Sequence, residues 1–154
     1  MIVPTAEAMR EIGLRLGGLL RAGDLLILSG DLGAGKTTLT QGIGEGVKVR
    51  GPITSPTFVI SRVHPSLAGG PPLVHVDAYR LGGFAEVDDL DLDADLESAV
   101  TVVEWGEGLV EGLSEERLEI RIRRGDDDSE VREIDFTPVG DRWAAVDLSA
   151  LLRP

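Results

Sequence analysis

The sequence predicts an α/β fold: a mostly parallel sheet flanked by helices, with a C-terminal antiparallel hairpin. Three features of the chain lead there. Leu25–Leu28 and Ala99–Val103 are short runs without a charged residue, the composition of parallel strands buried on both faces. Strand-like and helix-like segments alternate along most of the chain, as βα units do. Leu118–Arg123 and Glu130–Phe136 alternate apolar and polar side chains, and Gly125-Asp126 starts a turn between them, which together signal a hairpin. With 154 residues the chain has material for one core, so 1–154 is read as a single domain.

In chain order, residues 5–21 have helical periodicity, with Thr5 as N-cap, Pro4 just outside, and Met9, Ile12, Leu16, Leu19 and Leu20 recurring on one side. Leu25–Leu28 is the first buried strand. Gly30–Gly35 is a loop, and a helix runs from Lys36 to about Glu45. After Gly51-Pro52, Phe58–His64 has strand character. Pro65–Pro72 (PSLAGGPP) is a loop, the best place for an insertion, and Leu73–Asp77 is the next strand. Gly82–Ser98, rich in acids and leucine, suits one or two short helices. Ala99–Val103 is a further buried strand ending at Glu104-Trp105, and the hairpin follows.

Composition narrows the function. Hydrophobic residues make up 42%, ordinary for a soluble domain, and no apolar run approaches a membrane span. The N-terminus has no basic segment followed by an apolar one, so no secretory signal is expected and the cytoplasm is the expected compartment. There is no cysteine, which excludes disulfides, thiolate metal sites and cysteine nucleophiles. The formal net charge of −12 argues against a phosphate-tracking surface, so any nucleic acid would be met through a partner.

The segment Gly30-Asp31-Leu32-Gly33-Ala34-Gly35-Lys36-Thr37 fits G-x-x-x-x-G-K-[ST]. A triphosphate is a dense anion that backbone amides hold closely only where side chains do not intervene. Glycine at 30, 33 and 35 permits that approach, and the amides converge as an anion nest at the positive end of the following helix. Lys36 neutralises β- and γ-phosphate charge, the Thr37 hydroxyl binds Mg²⁺, and Thr38 reaches the α-phosphate. Lys36 is one of only two lysines in the chain, with Lys48, and it falls at the required position. The competing explanation is a glycine-rich turn. The apolar strand before it and the helix after it favour the phosphate cradle. No N-K-x-D motif is present, which favours ATP over GTP.

A P-loop needs an acid at the end of a neighbouring strand to hold the metal or orient water. Asp77 and Glu104 each end an apolar strand, where ligands of open α/β sheets bind. Which of the two handles water stays open on the residues alone. Ser55-Pro56-Thr57-Phe58 is either a γ-phosphate sensor, with Thr57 offering its hydroxyl, or an ordinary proline turn. His75 reads as a packed, satisfied histidine and His64 as a surface residue. Trp105 is a stacking residue or a wedge at a strand end, and Arg80 a phosphate or interface arginine or a surface ion pair. No arginine lies between Arg80 and Arg117, so the arginine-bearing lid of a nucleotide kinase is missing. That weighs against a small-molecule phosphotransferase. A nucleotide-responsive binding module with little turnover remains the other alternative.

The run GDLGAGKTTLTQG, then SPTF, HVDAYRL and VVEW, resembles the TsaE (YjeE) family in order and spacing, from Gly30 to Trp105. H-x-D-x-Y-R followed by E-W is the specific part. The resemblance implies a P-loop ATPase of tRNA threonylcarbamoyladenosine biosynthesis, weakly active alone and working with the TsaD and TsaB proteins. It further implies that Asp31, Leu32, Gly33, Ala34, Gly35, Lys36, Thr37 and Thr38 bind ATP phosphates, and that Thr37 and Glu104 hold Mg²⁺. Asp77 would orient or activate water, Thr57 would sit in a switch-like loop, and Trp105 and Ala6 would lie near the nucleotide. The chain departs from many relatives at Val59-Ile60-Ser61, in the acidic stretch EVDDLDLDADLE and in PSLAGGPP.

Overall fold

Four mutually parallel strands form the middle of the sheet, and their carboxyl ends define the edge on which the candidate site is built. The computed structural model describes residues 2–30, 35–49, 61–77, 98–104, 116–124, 131–144 and 146–152. Its strands are β1 (Ile2–Val3), β2 (Leu25–Gly30), β3 (Ser61–His64), β4 (Leu73–Asp77), β5 (Val100–Glu104), β6 (Arg117–Arg124) and β7 (Arg132–Val139). They form one 7-stranded sheet in the order β1-β7-β6-β2-β5-β4-β3. β2 is parallel to β5 and β6, and β4 is parallel to β5. The expected hairpin is present as the antiparallel pair β6–β7. Antiparallel pairing also finishes both edges, through β3 on β4 and the two-residue β1 on β7.

Register separates two faces. Leu26, Leu28, Val100, Val102, Leu73, Leu118 and Ile120 share one face and join Met9, Ile12, Leu16, Leu39 and Ile43 of the helices in a single core. On the other face Leu25, Ile27, Val74, Val76 and Val103 are also buried, which is why β2 and the run Ala99–Val103 into β5 read as segments without a charged residue. The hairpin differs. Its second face carries Glu119, Arg121, Arg123, Glu133 and Asp135, and the exposed Arg123 guanidinium donates to Glu133 at 2.9 Å and Asp135 at 2.6 Å. One buried and one wetted face explain its alternating sequence.

Helix α1 (Ala6–Gly17) starts as expected: the Thr5 hydroxyl accepts from the Ala8 amide at 3.1 Å. It ends earlier than the periodicity suggested, at the Gly17-Gly18 pair, and Leu19 is 43% exposed, not part of the apolar stripe. Helix α2 (Lys36–Val47) packs across α1 at unusually close range. A Cβ placed on Gly13, Gly17, Gly42 or Gly46 would stand closer than 3 Å to backbone of the facing helix: Leu39, Ile43, Arg10 and Leu14 respectively. Each helix thus offers two glycines four residues apart, and the backbones touch where side chains would otherwise intervene.

One expectation is corrected. His64 is buried, 5% exposed, because it faces Leu73 in the β3–β4 register and shares the core side, while its neighbour Val63 is 58% exposed. The segment 65–72 is a loop, as expected, with local order of its own. Ser66 bridges to Val49, and its hydroxyl accepts from the Ala68 and Gly70 amides at 3.1 and 3.0 Å. At the C-terminus, α3 (Asp141–Ala144) buries Trp143, and Arg142 donates through Nε and Nη2 to the two oxygens of Asp24 at 2.9 and 3.0 Å, just ahead of β2. A short 3₁₀ helix, Leu148–Leu152, follows and puts Leu151 in the core. The acidic segment 82–97 and the hairpin turn at Gly125-Asp126 lie outside the described residues.

Candidate functional site

β2 delivers the chain to the loop, and two glycines frame it. Gly30, the last residue of β2, has φ 149°, and Gly35, the N-cap of α2, has φ 111°. A Cβ on Gly35 would only touch Met9 Cε at 3.6 Å, so space does not demand glycine there; the left-handed backbone does. The same contact places the first turns of α1, beginning at Ala6, beside the loop. Among the described residues no side chain caps the start of α2 and no acid lies in its first turn, so the positive end of the helix meets no carboxylate there. Residues 31–34 of the motif lie outside the described residues.

Lys36, the first residue of α2, is 6% exposed and donates from Nζ to the Gly30 carbonyl at 2.7 Å, closing the two ends of the loop on each other. Thr37 and Thr38 follow, both half-buried. Thr40 is fully buried, and its hydroxyl donates to the Lys36 carbonyl at 2.8 Å, which ties it to the helix backbone.

The two acids arrive from separate strands. Glu104 is the Cα partner of Leu28 on one side and of Asp77 on the other, so both acids sit at the carboxyl edge, level with each other and two residues short of Gly30. Glu104 is 4% exposed. Its Oε2 accepts from His75 Nε2 at 3.0 Å, and the His75 side chain is completely buried. His75 is therefore packed, as the sequence suggested, but it bonds an acid of the candidate site, which sequence reasoning missed. No local signal joins the two residues, because they lie on different strands and only the β4–β5 register sets them side by side. Among the described residues no group of three or more His, Asp or Glu side chains could hold a metal by themselves. Thr57, Arg80 and Trp105 lie outside the described residues.

The model of the TsaE family, described as threonylcarbamoyl adenosine biosynthesis protein TsaE, matches residues 3–134. A TsaE protein of Streptomyces coelicolor is 66% identical over 146 residues, covering 93% of this chain and 99% of the relative. One from Mycobacterium tuberculosis is 54% identical over 129 residues, 79% of this chain and 77% of the relative. The crystal structure of YdiB from Bacillus subtilis superposes with a TM-score of 0.74 at 35% identity, covering 99% of this chain and 91% of that one. A parallel-centred sheet, a P-loop motif between β2 and α2, and a match over most of the chain agree: this chain belongs to the TsaE family, whose role lies in tRNA threonylcarbamoyladenosine biosynthesis.

Proposed function

We propose that this chain is a Mg²⁺-dependent ATPase of the cytoplasm. In this proposal it serves threonylcarbamoyladenosine synthesis together with the TsaD and TsaB proteins and meets tRNA only through that complex. The observation that supports this assignment is that Lys36, at the start of α2, and the strand-terminal acids Asp77 and Glu104 lie at one sheet edge. A glycine-rich turn of purely structural purpose would need neither a buried lysine nor a level pair of acids.

Each residue has a separate task. The amides from Asp31 to Thr38 grip the phosphates, and Lys36 exchanges the Gly30 oxygen for β- and γ-phosphate oxygens. Thr37 and Glu104 offer one hydroxyl and one carboxylate, a donor set that suits Mg²⁺ because this ion takes few protein ligands and completes its shell with phosphate oxygens and water. When bound, Mg²⁺ neutralises charge developing on the phosphates. In this proposal Asp77, whose backbone is level with that of Glu104, orients water, and Ala6 and Trp105 border the nucleoside.

Lys36→Ala tests the cradle. Lys36 sits at a loop–helix junction, so its loss opens no apolar cavity and the fold is expected to survive. Calorimetry with ATP should then find affinity lost or greatly weakened while circular dichroism is unchanged. Wild-type affinity in a folded Lys36→Ala protein would overturn the assignment.

A further inference from the structure

We propose that His75 is a positioning residue that fixes the Glu104 carboxylate for the cation, a role that rests on the metal assignment made above for Glu104. The sheet register brings the pair together. His75 is the partner of Val102, and Glu104 stands two residues further along β5, so the two side chains are diagonal neighbours on one face. Their surroundings there are Leu73, Val100 and Val102, all fully buried. In that apolar setting Nε2 of His75 lies 3.0 Å from Oε2 of Glu104. A carboxylate only accepts, so Nε2 carries the hydrogen.

The rest of the ring argues against a filler role. Nδ1 is buried and has no hydrogen-bond partner among the described residues. A leucine would occupy this position without hiding a polar atom, and among the described residues the contact to Glu104 is the one side-chain hydrogen bond that offsets burying the imidazole. Glutamate has three side-chain torsions, and a carboxylate this far from water gains a defined orientation from a fixed donor. With one oxygen engaged by His75, the other is left for the cation, at the strand end level with Asp77. Hydrogen bonds of this kind to a ligating carboxylate tune its aim and its affinity.

The test uses Mn²⁺ as the probe ion, with free Mn²⁺ followed by electron paramagnetic resonance at saturating ADP. In parallel, binding of a fluorescent ADP is measured in EDTA. His75→Leu should weaken Mn²⁺ binding by about tenfold or more and leave metal-free nucleotide affinity unchanged, a separation that simple loss of packing would not produce. His75→Gln, whose amide nitrogen reaches the place of Nε2, should recover most of the Mn²⁺ affinity, whereas the shorter His75→Asn should not. On a Glu104→Ala background, His75→Leu should have no further effect. Should His75→Leu fail to fold, the Gln and Asn variants carry the comparison. Equal Mn²⁺ affinity in wild type and His75→Leu, or in the Gln and Asn variants, overturns the role of His75 alone. Wild-type protein that binds ADP but no Mn²⁺ overturns the metal assignment and this proposal with it; wild-type protein that binds neither overturns the nucleotide site itself.

Discussion

Burying a carboxylate without a partner is unfavourable, so the placement of Glu104, 4% exposed at the end of an apolar strand, depends on what its oxygens meet. His75 accounts for one of them. On the proposed assignment, Glu104 would hold the cation and contribute most when charge redistributes on the phosphates, and less when nucleotide first binds through the loop amides and Lys36. Glu104→Ala is therefore expected to lower partner-stimulated ATP hydrolysis by about a hundredfold, the scale seen when one preorganised electrostatic contact is removed, with ADP affinity changed far less. Steady-state phosphate release and calorimetry on the same preparation check this; unchanged hydrolysis would make Glu104 a strand-end acid and nothing more. The same pair of measurements on Asp77→Ala decides which acid handles water.

Between elements, the tightest constraint is the α1–α2 crossing. Gly42 fits because its missing Cβ leaves room for the Arg10 carbonyl, and α2 is the helix that presents Lys36 and Thr37. Gly42→Ala should force the helices apart and destabilise the protein by about 1–3 kcal/mol, the usual range for overpacking. Gly18→Ala is the contrast. Gly18 has ordinary helical dihedrals, φ −66° and ψ −18°, and the nearest atom to its added Cβ is the Arg15 carbonyl at 3.4 Å. That substitution restricts the unfolded chain without demanding space and should be neutral or stabilising by up to about 1 kcal/mol. Urea denaturation of both variants reads the difference, and equal effects would mean the crossing is looser than its geometry.

For the molecule as a whole, the proposed ATPase activity raises the question of what would accelerate hydrolysis. Phosphoryl transfer to water becomes fast when a positive charge, often an arginine, meets the charge developing on the phosphate. In the sequence, Arg80 is the only arginine between Asp77 and Glu104. On the hairpin, Arg123 is already held by Glu133 and Asp135. The isolated protein should therefore turn over slowly, and TsaD–TsaB should speed it at fixed ATP and Mg²⁺. In the proposed complex, the net charge of −12 would suit docking to a partner with a basic rim and would leave tRNA to that partner. Phosphate release measured alone and with the partners tests this; fast turnover that ignores them would indicate a free-standing enzyme.

Much of the architecture was legible because it is written in contiguous residues. The P-loop is one uninterrupted segment. The central strands announce themselves by burying both faces, and the hairpin by wetting one. Thr5 caps α1 through its own neighbours. The features that could not be read are those that join distant segments. Nothing local says that Asp77 and Glu104 stand level, or that His75 reaches Glu104 across 29 positions of chain; strand register sets both, and register follows from how the sheet packs against its helices. His64 was misread as exposed because two-residue periodicity allows either face until the edge strand is paired. The glycines of α1 and α2 carry no periodic hydrophobic signal, and their purpose emerges only when the two backbones meet. Short-range sterics and patterning thus specify the central strands and the helix that follows the G-x-x-x-x-G-K-T motif, whereas the partner of Glu104 and the closeness of the helices arise from contacts that exist only once the chain has folded.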